Sequence, residues 1–193
     1  MGGACYFGDD KITAPDCTDN FQIVQPMFSA YGHEWHSVEQ AFQALKFPEG
    51  SIGRKHILNS PPREMEGSGN YGMRVWIYGS RRPKSGFPDW VMRDGFQLEK
   101  VKVMYILNMA KYASNESFQR DLVDVTNGHR IIGKFSTNSH RHGNNWKFWN
   151  ENTQTAIRSL IIKGEDLRVV IASVEEMSGA EVEKLLMGVS NED

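Results

Sequence analysis

The chain has 193 residues, of which 39% are hydrophobic and 24% charged, and it carries a formal net charge of −2. That length and composition fit one soluble domain with a sizeable core, and the near-neutral balance argues against broad nucleic-acid binding through a basic surface. Two cysteines, Cys5 and Cys17, require no disulfide and fit a reducing cytoplasmic setting, with a nuclear one also compatible.

The start, Met1-Gly-Gly-Ala-Cys5, lacks the basic and apolar regions of a signal peptide, and Tyr6 stands where a myristoylation signal has Ser or Thr. No apolar run approaches the roughly 20 residues of a membrane span. Cys5 to Phe7 and Ile23 to Ser29 carry β-type apolar residues between Asp-, Thr- and Pro-rich turns, and read as strands. Ser37 followed by Gln40 has the form of a capping box, so a helix is expected from there to about Phe47, where Pro48 ends it. At about 100° per residue, Val38, Ala41, Phe42 and Leu45 share one apolar arc, and Glu39, Gln43 and Lys46 form a stripe beside it. The stripe is expected at the rim of the core, where a carboxyl and an amine are partly desolvated without being entombed.

A second short helix is expected from Ser51 to Asn59, and Ser60-Pro61 reads as an N-cap with proline at the first helical position. Gly67 to Asp89 is rich in Gly, Arg, Pro and aromatics; it reads as a loop with one strand through Met73 to Ile77. Asp94 with Gln97 reads as a capping box opening the longest helix, Phe96 to Tyr112. Leu98, Val101, Met104, Tyr105 and Leu107 make that helix apolar over much of its circumference, hence central. Asn115 to Val125 is a further helix stopped at Asn127-Gly128. His129 to Phe135 reads as a strand, Ser136 to Asn145 as a loop, and Thr153 to Lys163 as a helix. Beyond Gly164, Arg168 to Val174 reads as a strand, and Ser178 with Glu181 caps a last helix. The expected class is α+β, a helix-dominated single domain with a few short strands.

The stretch from Trp35 to Phe47, W-x-S-x-E-x-x-F-Q-x-x-K-F, resembles the signature of the NADAR superfamily, the YbiA-like N-glycosidases. Asn20-Phe21 and the Tyr31-Gly32 turn resemble that family's entry strand and turn. Gly79-Ser-Arg81-Arg82, followed by Asp89-Trp90, matches a glycine–arginine element and an (N/D)-W pair. Lys100 through Tyr112 is similar to the family's K-x-x-V-M…L-x-x-K-(F/Y) helix, Phe118 to Thr126 continues it, and Trp149 falls at a W-G element. The sequence departs from the pattern at Ile131-Ile132-Gly133, where an acidic residue is usual, and at Trp149-Asn150-Glu151-Asn152, in place of W-G-x-G. The resemblance implies a catalytic domain over residues 1–163, with residues 164–193 an extension packed on it.

The activity so implied is cleavage of a ribosyl–nitrogen bond. The expected substrate is ADP-ribosylated guanine, in nucleotide, DNA or RNA, with ADP-ribose as product. The alternatives are ribosylaminopyrimidine intermediates of riboflavin synthesis, or a non-catalytic module that binds NAD or ADP-ribose. In both substrates a ribose anomeric carbon is joined to an exocyclic amine, a linkage that can open to an acyclic imine and so favours an attacking lysine. Lys46, neutral after desolvation by Trp35, Phe47 or Trp90 or beside the Arg81 or Arg82 cation, would form a Schiff base with that carbon. Glu39 would act first as general acid and then as base toward water. A single displacement would need Glu39 alone, with Lys46 as an electrostatic group. Trp35 and Phe47 would also line the substrate site. Arg81 and Arg82 would take phosphate through the guanidinium fork, Trp90 or Trp149 would stack on a base, and Asn150 would bond a ribose hydroxyl. No cofactor is expected. His33 and His36, or His140 and His142, lack third and fourth ligands at zinc-like spacing.

Overall fold

Eight α-helices, five short strands and one short 3-10 turn (Asp16–Thr18) make up the secondary structure of residues 4–80, 91–134 and 145–189, which the computed structural model describes. The chain is therefore helix-dominated α+β. Strand β1 (Tyr6–Phe7) lies between β2 (Ile12–Thr13) and β5 (Ile131–Ile132), antiparallel to both. Strands β3 (Phe28–Ala30) and β4 (His33–Trp35) form a hairpin in which Phe28 faces Trp35. Tyr31 and Gly32, with φ of 52° and 74°, turn it; both are positive, as a two-residue turn matched to strand twist requires. The strand expected from Ile23 begins only at Phe28, since Pro26 has no N–H to enter a ladder. Likewise the strand expected over His129 to Phe135 shrinks to β5 among the described residues.

The long helix α4 (Phe96–Ala113) is central: thirteen of its 18 residues are buried. Around it lie α1 (Val38–Leu45), α5 (Glu116–Thr126), α6 (Trp146–Ile162), α7 (Leu167–Glu175) and α8 (Gly179–Met187). The start of α4 is not the expected capping box. Its N-cap is Gly95 at φ 75°, with no side-chain cap, and Leu98 is exposed. The last two helices sit on α4 directly. Lys102 Nζ donates to the Glu175 and Met177 carbonyls at 2.6 Å each, and Gly179 lies so close that a Cβ there would meet the Leu98 carbonyl oxygen at 1.9 Å.

Two segments read as strands are helices. Over α3 (Ser68–Tyr78), Tyr71 and Val75 are one turn apart and both fully buried, and Gly72 packs on the Phe21 ring, where a Cβ would come within 2.1 Å. Gly72 is therefore there for close approach, whereas nothing lies within 4 Å of a Cβ at Gly67 or Gly69. Over α7, Asp166 caps the Arg168 N–H at 2.9 Å, and Leu167 and Val174, seven positions apart, are buried on one face; that packing overrides the β-branched run between them. Ser60-Pro61 starts no helix. The Ser60 hydroxyl donates back to the His56 carbonyl at 2.7 Å and closes α2 (Ile52–Leu58). Helix α6 begins seven residues before the expected Thr153, whereas α5 and α8 lie where expected, α8 with a complete Ser178–Glu181 capping box.

Candidate active site

Helix α1 opens on Ser37, whose hydroxyl accepts the Gln40 N–H at 3.1 Å. The Gln40 side chain reaches past the N-cap to the His36 N–H, at 2.9 Å, and donates to the Ile57 carbonyl at 3.1 Å, which binds α1 to α2. The helix stops at Leu45, with Lys46 as its C-cap, two residues earlier than expected. Arg93 clamps that end. Its guanidinium donates to the Leu45 carbonyl at 2.9 Å, and its backbone N–H donates to the Lys46 carbonyl at 2.8 Å.

Every residue of α1 is buried, so the stripe of Glu39, Gln43 and Lys46 is not at a rim. Helices α2, α3 and α4 lie against three sides of an eight-residue helix and leave it no solvent face. Glu39 and Gln43 are fully buried, and Lys46 is half-buried. The three side chains form one array. The Gln43 amide nitrogen donates to Glu39 Oε1 at 2.5 Å, and the Gln43 amide oxygen accepts from Lys46 Nζ at 2.5 Å. The second carboxylate oxygen, Glu39 Oε2, is buried and has no hydrogen-bond partner among the described residues.

Burial sets the electrostatics. Desolvation raises the Glu39 carboxyl's pKa, against the opposing pull of Lys46 and the Gln43 bond. Desolvation brings Lys46 down to about 8, outweighing the attraction of Glu39 and aided by the Lys100 cation. The apolar wall beneath Lys46 is Phe42, whose ring centroid is 5.4 Å from Nζ. Phe96 and Trp146 flank that ring at 5.4 and 5.2 Å. Neither Trp146 nor the bridging role of Gln43 emerges from the sequence, because α6 is expected to begin beyond Trp146 and a lone glutamine on a stripe carries no signal. Gly79, at the end of α3, also belongs here: a Cβ on it would lie 1.8 Å from the Gln43 amide oxygen.

The backbone of Glu39 is fixed as well. Its N–H donates to the Asn20 carbonyl at 2.9 Å, and the Asn20 side chain accepts from Asn108 Nδ2 at 3.1 Å. Asn108 Oδ1 in turn accepts from Lys111 and Gln154, at 3.2 and 3.1 Å, and Tyr112 donates to Gln154 at 2.7 Å. This buried polar layer ties α1 to α4 and α6.

The other expected site residues fall elsewhere. Trp35 is in the core, fully buried, with its indole N–H committed to the Ala30 carbonyl at 2.9 Å. Phe47 is buried with its ring against Gly53, where a Cβ would come within 2.6 Å. Both are packed walls. Trp149 meets Phe148 edge to face at 5.0 Å, and Asn150 donates to Cys5 Sγ at 3.3 Å while its Oδ1 is buried without a partner among the described residues. Glu151, beside them, pairs with Arg130 at 2.8 Å and accepts the Gly133 N–H at 3.2 Å, joining α6 to the end of β5. Arg81, Arg82, Trp90, His140 and His142 lie outside the described residues.

Among the described residues no group of three His, Cys, Asp or Glu side chains is placed to hold a metal ion. Burial pushes the Cys5 thiol up to about 12 and raises that of Cys17, which suits neither to nucleophilic attack. A groove of about 560 Å³ bordered by Glu116, Arg120, Asp124, Glu165 and Arg168 lies away from α1, and neither Glu39 nor Lys46 lines it. Comparisons with family models, with curated proteins and with solved structures find no match to this chain.

Proposed function

We propose that this chain is an N-glycosyl hydrolase of the NADAR type that removes ADP-ribose from ADP-ribosylated guanine. The observation that carries the reading is the Glu39–Gln43–Lys46 array. It holds a buried carboxyl, its pKa raised and one oxygen uncommitted, near an amine lowered to about 8, shifts that move the carboxyl toward a proton donor and the amine toward a neutral nucleophile. The resemblance of the Trp35–Phe47 stretch to the family signature supplies the bond to be cut.

In this reading neutral Lys46 Nζ adds to C1 of the ring-opened ribosyl imine. One Lys46 proton passes to the former imine nitrogen and protonated Glu39 gives it a second, so that the C1–N bond breaks with guanine leaving as its free amine and a protonated lysine–sugar Schiff base remains. Water then adds to C1, losing its proton to the Glu39 carboxylate, and the sugar departs as Lys46 is regenerated. Phe42, with Phe96 and Trp146 about it, covers one side of the amine. Arg81 and Arg82 are assigned to the diphosphate on the strength of the sequence motif.

Incubating the chain with ADP-ribosyl-guanosine tests this. Release of free ADP-ribose and guanosine is expected, and Arg81→Ala with Arg82→Ala should weaken this substrate more than one with a single phosphate. Binding of ADP-ribose with no release from the nucleoside would identify a binding module instead.

A further inference from the structure

We infer that Gln43, seated against Gly79, is a positioning residue that keeps Glu39 and Lys46 from collapsing into a direct ion pair. The inference rests on the function proposed above and adds to it the device that holds the two groups ready. Glu39, in the first turn of α1, and Lys46, its C-cap, are seven positions apart on one side of the helix, Glu39 fully buried and Lys46 half-buried. Opposite charges so placed attract strongly in a low-dielectric setting. A direct pair would fill the carboxylate oxygen that is now uncommitted and would hold Lys46 protonated. The amide prevents this by taking one hydrogen bond on each side: Nε2 donates to Glu39 and Oε1 accepts from Lys46. Its orientation is fixed by charge, because a flipped amide would set oxygen against carboxylate and N–H against ammonium.

Gly79 supplies the space. Its φ is −80°, a value any residue adopts, so glycine is not required there for backbone reasons. It is required because a Cβ would lie 1.8 Å from the Gln43 amide oxygen, 2.6 Å from Cδ and 2.8 Å from Cβ. Gln43 is fully buried and cannot swing to solvent to make room. Among the described residues, the charged groups acting on the pair from neighbouring elements are Lys100 of α4, on Lys46, and Asp19, just past the Asp16–Thr18 turn, on Glu39.

The test reads Lys46 without substrate. Acetic anhydride acetylates neutral amines, so the pH midpoint of Lys46 acetylation, followed by peptide mass spectrometry, reports its protonation. The wild-type chain should show a midpoint near 8. Gln43→Met, similar in size but without the hydrogen bonds, should move it up by about one unit or more, an approximately tenfold loss of Lys46 reactivity at pH 8. Gly79→Ala should do the same, and adding Gly79→Ala to Gln43→Ala should move the midpoint little further, since the contacts with the amide are then gone and only the 2.8 Å approach to the Cβ at position 43 remains. If the variants fail to fold, the wild-type chain still decides: the Gln43 side-chain amide protons should titrate by NMR with both Glu39 and Lys46. An unmoved Lys46 midpoint in folded Gln43→Met, or a Gln43 amide blind to both titrations, overturns the inference. A shifted midpoint in a chain that releases no ADP-ribose supports the positioning role and overturns the function proposed above.

Discussion

Lys46 and Glu39 lie two turns apart on α1 and share one glutamine, Gln43, which stands 2.5 Å from each. The arrangement leaves the acid with an oxygen to spare, at a thermodynamic cost. Burial raises the Glu39 pKa in the folded chain. Such a carboxyl favours folding fully below its unfolded value near 4.5 and opposes it as pH climbs through the raised value. Glu39→Gln should therefore lose hydrolysis by roughly 10²–10⁴-fold. The same variant should melt higher than wild type at pH 8, with the difference vanishing at pH 4. Thermal melts at the two pH values, beside a turnover assay, check both halves. A variant that is inactive and less stable at pH 8 would show that Glu39 is a structural carboxylate.

Lys46 is the residue that separates the two chemical routes. With substrate present, borohydride should trap a sugar adduct on the Lys46 peptide, and activity should rise as pH climbs to about 8 and the amine loses its proton. Lys46→Arg keeps the charge and cannot form the adduct. No adduct, with substantial turnover in Lys46→Ala, would leave only the single displacement by Glu39.

The α1 segment was legible because its signals are local. Ser37, Gln40 and Pro48 mark its ends and the 3.6-residue period places Glu39, Gln43 and Lys46 together, and the structure brings all three into one array. The period does not show how many neighbours surround the helix: it predicts a stripe at a rim, and α2, α3 and α4 enclose α1 instead. Helix α3 was hidden for a related reason. Gly72 and Gly79 read as loop residues, and only the Phe21 ring and the Gln43 amide pressed against them explain why they are glycine. In α7 the β-branched Val169-Val170-Ile171 run pointed to a strand, and burial of Leu167 and Val174 decided otherwise. Long-range packing, absent from any local window, accounts for each miss.

Lys111 gives the fold a pH dependence of its own. It is fully buried, donating to the Cys17 carbonyl at 2.5 Å and to Asn108 at 3.2 Å, and burial lowers it to about 8 from the usual 10.5. A lysine depressed on folding contributes stability that is complete above its unfolded value and is lost as pH falls through its folded one. Stability should thus rise between about pH 8 and 10.5. Lys46 has the same sign, so the quantity to measure is the difference between wild type and Lys111→Met in urea unfolding. That difference should grow by up to about 3 kcal/mol across the window. A constant difference would mean that Lys111 keeps its ordinary pKa in the folded chain.

Arg93 should prove more important to the site than its ion pair indicates. Its salt bridge to Glu99, at 2.7 Å, is partly exposed on both sides and is worth little. Its other bonds hold the end of α1: Nε on the Leu45 carbonyl at 2.9 Å and the backbone N–H on the Lys46 carbonyl at 2.8 Å, with the guanidinium 5.2 Å from the Phe96 ring centroid. Arg93→Ala removes the first and the last while the backbone bond remains. The expected loss is about 1–2 kcal/mol in urea unfolding, against roughly 0–1 kcal/mol for Glu99→Ala. Turnover should fall with Arg93→Ala and hold with Glu99→Ala, because the last turn of α1 carries Lys46 and frays when its Leu45 carbonyl is released. Equal losses in the two variants would reduce Arg93 to a surface ion pair and place the anchoring of Lys46 in the backbone bond alone.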